Sequence, residues 1–356
     1  MRILITGICG FVGSSLALSL LEAVPDIELS GLDNFMRPGS EENRRRLKKM
    51  GIKLIHGDIR CASDFESLAA VDWVIDAAAN PSVLAGIDGQ TSSRQLVEHN
   101  LLGTINILEY CKRHRAGFIL ISTSRVYSIT ELVKIKVAIF GEAFRLSEDQ
   151  RLVPGLSVAG VNEMFSTAPP ISLYGSSKLA SEVLALEYGA MFGFPVWINR
   201  CGLLSGAGQF GRADQGIVSF WINRYLHRLP LSYIGFGGKG YQVRDCLHPR
   251  DLTRLIEKQL RNLSPTGTRV LNVGGGCKNS FSLAELSSWC AERFGYHQVD
   301  GSTQERDFDL PWLVMDSSTA RESWGWQPEI PLSAIWDEIA AHAEANLNWL
   351  EISGAL

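Results

Sequence analysis

Tyr174 and Lys178 stand four residues apart in Tyr174-Gly175-Ser176-Ser177-Lys178, a spacing that puts a phenol and an ammonium on one face of a helix. An ammonium beside a phenol favours phenolate and is expected to lower the Tyr174 pKa from about 10. Such a phenolate takes the proton of a substrate hydroxyl as hydride leaves the same carbon, and donates it in the reverse direction. The pair alone is a weak signal, because Tyr and Lys meet at this spacing by chance in many chains. A hydroxyl partner is expected at the end of the preceding strand, where Ser122, Thr123 and Ser124 follow one another. Thr123 is the first choice, bonding and orienting the reacting oxygen. A strand-end hydroxyl capping the backbone explains one such residue better than three in a row.

A departing hydride needs an acceptor. Gly7-Ile8-Cys9-Gly10-Phe11-Val12-Gly13 follows the apolar run Arg2-Ile3-Leu4-Ile5-Thr6 and opens an apolar helix. Gly7 suits a tight turn, Gly10 lets the backbone approach a pyrophosphate, and Gly13 allows close packing of helix on sheet. The helix N-terminus then offers free N–H groups and a partial positive charge. Glycines collect in turns for many reasons, but here the strand before and the helix after supply the context of a dinucleotide site. The second strand ends at Asp33 with Asn34 behind it. A carboxylate there accepts the ribose hydroxyls and repels a 2′-phosphate, which favours NAD over NADP, although Arg37 nearby blunts the argument. Asp58-Ile59 is placed to meet adenine, and Ala77-Ala78-Ala79 supplies small side chains where a cofactor backbone passes. Ordinary loop chemistry is the plain alternative for both.

The elements that must position these residues alternate. Strands are expected at 2–6, 27–32, 53–56, 73–77, 118–122 and 195–200, with amphipathic helices near 12–23, 62–70, 94–114 and 174–192. That alternation predicts an α/β fold, a Rossmann-type doubly wound parallel sheet with a smaller, mixed α/β C-terminal substrate domain. The first domain is read as 1–200 plus about 245–275, the second as about 201–244 plus 276–356. Residues 128–171 break the rhythm and read as an insertion folded over the sheet edge near the active site. Beyond a glycine-rich stretch after Arg200, helices are expected near 215–228, 249–262, 282–294 and 332–350.

The 356 residues carry a net charge of −4, which gives no sign of a nucleic-acid partner. The basic run Arg44-Arg45-Arg46 with Lys48-Lys49, flanked by Glu41 and Glu42, reads as a solvated helix face. Seven scattered cysteines without a C-x-x-C pair read as buried reduced thiols in a reducing compartment, with no metal site. No segment approaches the roughly twenty apolar residues needed to span a bilayer, and no signal peptide is visible. The expectation is a cytoplasmic protein without a membrane partner.

Taken with Asn100-x-x-Gly103-Thr104-x-Asn106, Val126-Tyr127 and Val243-Arg244-Asp245…His248, these motifs resemble the NAD-dependent nucleotide-sugar epimerase/dehydratase family of extended short-chain dehydrogenases along nearly the whole chain. The resemblance implies that Asn100 lies near the cofactor, and that Arg244 and Arg306 bind the substrate's diphosphate. A surface ion pair is the plain alternative for Arg306, which sits between Glu305 and Asp307. Family dehydratases carry Thr-Asp-Glu where this chain has Thr123-Ser124-Arg125, so dehydration lacks its acid and base. The segments around Gln209 and Gln215 (208–216) and 240–248 are similar to the CDP-paratose 2-epimerase subgroup. That similarity implies oxidation at C2 of a CDP- or UDP-linked sugar and return of the same hydride. It also implies a homodimer or dimer of dimers through helices 94–114 and 174–192. Ser128, Leu203 and Asp309-Leu310-Pro311-Trp312 depart from the usual family residues. A UDP-sugar 4-epimerase, a net oxidoreductase and a non-enzymatic NAD-binding scaffold share the same fold; the intact Thr123, Tyr174 and Lys178 speak against the scaffold.

Overall fold

The computed structural model describes the chain except for residues 88, 90, 91 and 263–266. At its centre lies a seven-stranded parallel sheet. Across it run Lys53–His56, Glu28–Asp33, Arg2–Thr6, Trp73–Asp76, Gly117–Thr123, Val196–Cys201 and Val270–Val273. The chain moves outward from Arg2–Thr6 in one direction for the next two strands, then crosses back to Trp73–Asp76 and continues the other way. The carboxyl ends of Arg2–Thr6 and Trp73–Asp76 therefore flank a crevice, the place where such sheets bind ligands.

Apolar residues occupy these strands almost without interruption because both sheet faces are covered. Ile3 and Ile5 face the helices Phe11–Ala23 and Pro249–Leu260 through Leu16, Leu20, Leu252 and Ile256. Leu4, Val74 and Phe118 face the opposite layer, where Ile107 and Ala185 come from the helices Gly103–His114 and Ser172–Phe192. The alternation of Ile3, Leu4 and Ile5 between the two layers is the period-two geometry of a strand.

All six expected strands are present, and Val270–Val273 adds a seventh. The helix expected over 62–70 is only a 3₁₀ turn, Ala62–Phe65. Its Asp64 carboxylate accepts the Asp58 amide at 2.7 Å instead of leaving the backbone to helical bonding, a competition that short acidic side chains often win. The basic run does lie on a helix, Ser40–Lys49, with Arg44 and Arg45 each 2.9 Å from Glu41 and Glu42 and only Ser40 and Leu47 buried.

A second, mixed sheet joins Leu203–Leu204, Val243–Leu247, Ser280–Ser282 and Trp312–Leu313. The helices Ile217–Leu226, Leu283–Phe294 and Leu332–Ala345 share a core of Trp221, Ile222, Phe281, Leu286 and Trp336. Residues 128–171 form a short helix, Ile129–Val133, and two small hairpins. They cover the outer edge of the central sheet: the Asn272 amide donates to Glu163 at 2.7 Å, and the Asn272 side chain donates to the Val161 carbonyl at 2.8 Å. That blunts an edge strand that would otherwise be open to pairing. No residue of 128–171 lines the cleft described below, but the segment packs against Val126 and Tyr127 and against Leu179 of the helix Ser172–Phe192.

All seven cysteines are free; Cys61 and Cys277 are exposed, contrary to the expectation of burial throughout, and the other five are buried. Among the described residues no group of side chains could hold a metal ion, and no helix is long and apolar enough to cross a membrane.

Candidate active site

One cleft of about 1040 Å³ opens at the carboxyl ends of the sheet and runs between the two sheets. Its floor begins at the glycine loop. Gly7 has φ +63°, and a Cβ there would stand 2.8 Å from Ala78 Cα. A Cβ on Gly13 would stand 2.3 Å from the Gly7 carbonyl oxygen. Only hydrogen fits at either position. Gly10 caps the helix Phe11–Ala23 without any side-chain bond, so its first amides stay directed at the cleft. Gly10, Phe11, Val12 and the three alanines Ala77, Ala78 and Ala79 complete this part of the wall. The shape and the free amides fit a pyrophosphate.

Asp33 sits at the end of its strand, with its two carboxylate oxygens 2.8 Å from the amides of Cys9 and Phe35. Burial raises its pKa, and the two amide bonds pull it back. The carboxylate thereby braces the glycine loop while lining the cleft. Arg37, whose charge would favour a 2′-phosphate, directs Nη2 to the Phe210 carbonyl at 2.9 Å. Asn34 and Ile59 also line the cleft, but Asp58 does not. Its carboxylate is held by Arg60 at 2.7 Å and by Asn34 at 3.0 Å, which keeps it well below the usual carboxylate range. Asn100 likewise stands behind the wall: it accepts the Asn80 amide at 2.8 Å and donates to Ser177 at 3.2 Å. Both residues shape the wall without forming it.

Tyr174 and Lys178 project into the cleft from the first turns of Ser172–Phe192, and both are buried. Of the three strand-end hydroxyls, Ser122 is committed to Glu182 at 2.5 Å. Thr123 accepts the Arg125 amide at 3.2 Å, and its hydroxyl pulls the Tyr174 pKa down. The phenol's pKa is not lowered as the spacing implied. Burial pushes it above its ordinary value, and the Thr123 hydroxyl and the Arg125 charge only partly offset that. Burial also pulls the Lys178 ammonium down, against Asp76 and Glu182. Desolvation of a charged form outweighs the nearby charges at both groups.

The far wall carries Gln209, Gln215, Arg244 and Arg306. Arg244 is paired with Asp309 at 3.3 Å and donates to the Leu310 carbonyl at 2.9 Å. Arg306 is exposed and reaches the Ala213 carbonyl at 3.4 Å, so it is not confined to pairing with its acidic neighbours. Gln209 donates to the Leu204 carbonyl at 2.8 Å, and its buried Oε1 has no partner. Of the residues picked out in the sequence, all but Asp58 and Asn100 therefore meet on one surface.

Several supporting residues were not singled out. Asp76 accepts Thr6 at 2.7 Å and Thr104 at 3.0 Å beneath Lys178. Glu182 joins Ser122 to Arg200, and Arg125 lines the cleft beside Tyr174. Glu182 could have been found, because it lies one helical turn beyond Lys178 on the same face.

A family profile described as the NAD dependent epimerase/dehydratase family matches residues 3–274. The chain belongs to this family. Its cofactor is NAD, and the glycine cradle with Asp33 is the part of the chain that fits it. The CDP-paratose 2-epimerase of Salmonella typhi is 27% identical over 93% of this chain and 95% of its own length. Two solved structures are 25% identical over 97% of this chain and 99% of their own. They are the UDP-glucose 4-epimerase of Thermus thermophilus with NAD, at a TM-score of 0.76, and the UDP-glucuronic acid 4-epimerase of Bacillus cereus with UDP-glucuronic acid and NAD, at 0.74. The chain is accordingly an enzyme of the NAD-dependent sugar-nucleotide class with a Rossmann-type sheet, as its motifs implied.

Proposed function

We propose that the protein epimerises a nucleotide-linked sugar at C2, in the manner of the CDP-paratose 2-epimerases it resembles. One observation carries the reading. A single cleft joins a cradle for a dinucleotide to a wall bearing Arg244 and Arg306, with Thr123 and Tyr174 between them. Residues 1–200 with about 245–275 would hold the cofactor. About 201–244 with 276–356 would hold the nucleotide sugar.

Bound NAD supplies the site that accepts hydride and returns it. Thr123 and Tyr174 engage the hydroxyl of the reacting carbon, and Tyr174 takes its proton as the carbon becomes a ketone. Lys178 supplies positive charge beneath the phenol, and the charges of Asp76 and Glu182 favour its ammonium form. Arg244 and Arg306 suit the diphosphate oxygens because a guanidinium presents a planar fork of donors. Gln209 and Gln215 stand along the same path and offer polar contacts to the nucleotide sugar. Once the keto sugar has turned its other face, Tyr174 returns the proton, and no cofactor is consumed. Dehydration is disfavoured because Ser124 and Arg125 stand where an acid and a base would be required.

Two UDP-sugar 4-epimerases of comparable identity leave 4-epimerisation as the second reading. Purified protein given CDP-paratose should form CDP-tyvelose without net accumulation of NADH. Conversion of UDP-glucose to UDP-galactose, with CDP-paratose untouched, favours the second reading. Sustained NADH release would instead mark an oxidoreductase. We further propose a homodimer through the helices Gly103–His114 and Ser172–Phe192. Val183 remains 54% exposed on the second of these, and Leu102, just before the first, is 41% exposed. A monomeric mass in solution would refute that assembly.

A further inference from the structure

Arg125, Arg244 and Arg306 line the cleft, and the charges of Arg244 and Arg306 act on Arg125. Asp309 stands among them, but its carboxylate is already engaged by Arg244 at 3.3 Å, Gln242 at 3.0 Å and the Leu310 amide at 2.9 Å. Arg125 has no carboxylate at ion-pair distance among the described residues, and its side chain makes one hydrogen bond, from Nη1 to the Phe308 carbonyl at 3.2 Å. Four of its five N–H donors are left for something else. Burial, with Arg244 and Arg306 nearby, pulls its pKa down to about 9. A recessed cation with like charges around it is unfavourable until an anion joins them.

The main chain ties Arg125 to the catalytic pair. Its amide donates to Thr123 Oγ1 at 3.2 Å. Its carbonyl oxygen would stand 2.2 Å from a Cβ on Gly175, the residue after Tyr174. Only a glycine lets the Ser124–Val126 turn approach the Tyr174 helix so closely. Arg125 thus bridges the reacting end of the cleft and the diphosphate-binding arginines.

That position has a regiochemical consequence, which rests on the epimerase reading above. In a nucleotide sugar the diphosphate hangs on C1. If its sugar-side phosphate is held next to Thr123 and Tyr174, the hydroxyl-bearing carbon brought to the phenol is the neighbour of C1, namely C2. C4 lies across the ring and would need the diphosphate farther off. We propose that Arg125 binds the sugar-side phosphate beside the catalytic pair and so selects C2 as the carbon oxidised. In the step selected, the C2–H electron pair passes as hydride to nicotinamide and the O2–H proton to Tyr174, leaving a C2 ketone. Return of hydride to the opposite face and of the proton to O2 balances the cycle.

The test uses the full-length protein with its NAD and CDP-paratose deuterated at C2 or, separately, at C4. The expected result is a primary isotope effect with the C2 label alone. Arg125→Gln should lower kcat/KM by about 10²- to 10³-fold, the scale of truncating one partner of a buried, hydrogen-bonded charge pair. Arg125→Lys should recover part of it, with NAD content at the wild-type level in both variants. An isotope effect from the C4 label alone, with epimerisation intact, overturns the role of Arg125 and leaves the epimerase standing. So does a Gln variant with unchanged turnover. Preferential turnover of UDP-glucuronic acid, abolished in that variant, would assign Arg125 to a ring carboxylate instead. Absence of hydride transfer from every ring position would sink the epimerase reading itself.

Discussion

Glu182 on the helix Ser172–Phe192 and Arg200 on the strand Val196–Cys201 form an ion pair at 2.7 Å, with side chains only 3% and 9% exposed. Burial pulls the Arg200 guanidinium down, and Glu182 more than restores it. The same carboxylate accepts Ser122, and Arg200 also reaches the Tyr127 hydroxyl at 3.3 Å. The network binds the strand Gly117–Thr123 to the helix carrying Tyr174 and Lys178. Removing one partner of such a pair strands the other charge in the interior. Glu182→Gln should therefore cost about 3–5 kcal/mol, and replacing both partners by apolar residues should recover much of it. Urea unfolding of the single and double variants measures this; equal losses in both would contradict the account.

Thr123 supplies one of the two influences that lower the Tyr174 pKa against burial. Tyr174 must be phenolate to accept a proton, so the forward rate rises with pH until the phenol is ionised. Thr123→Val removes a hydroxyl that favours phenolate, which moves the acid limb of kcat/KM to higher pH. An interaction of a hydroxyl with a charged group is worth about 1.5–3 kcal/mol, so at pH 7 the rate should fall by about 10- to 100-fold. Tyr174→Phe should lose the limb altogether. A Val variant whose pH profile overlays that of the wild type would remove Thr123 from the proton path.

Asp33 braces the glycine loop through the Cys9 and Phe35 amides, and in the proposed site it also receives the ribose hydroxyls. Asp33→Asn keeps the shape but loses the charge that strengthens each hydrogen bond, a change of about 1.5–3 kcal/mol. NAD affinity should drop by about 10- to 150-fold, while NADP affinity rises because the repulsion is gone. Fluorescence titration with both dinucleotides separates the two effects. If NAD binding is unaltered, the carboxylate acts only on the glycine loop.

What could be read in the sequence is what depends on local spacing. Gly7, Gly10 and Gly13 meet because one turn connects them, and Tyr174 and Lys178 meet because one helix carries both. The pairing of Arg244 with Asp309 spans 65 residues, and nothing local announces it. Arg125 was legible only as a missing carboxylate, since its meaning comes from two other arginines folded against it. Asp58 and Asn100 sit in recognisable motifs, yet hydrogen bonds with Arg60, Asn34, Asn80 and Ser177 turn them away from the cleft. The pKa of Tyr174 went the other way from expectation because spacing shows neighbours and not depth.

Asp245, next to Arg244, extends this to stability. It is 2% exposed, and burial pushes its pKa up to about 6 against the pull of the Gly275, Gly276 and Met315 amides. Its ordinary value is 3.8. A carboxyl raised on folding binds its proton more tightly in the native state, so its contribution is fully present below the lower value. It is lost as pH climbs through the interval to about 6. Two pKa units correspond to about 3 kcal/mol. Asp245→Asn cannot ionise, so between pH 4 and 7 its stability should lack this downward trend, whatever its absolute level. Urea midpoints of the two proteins across that interval should converge toward acid and separate toward neutrality. Parallel curves would mean that Asp245 stays charged throughout, with the three amides outweighing its burial.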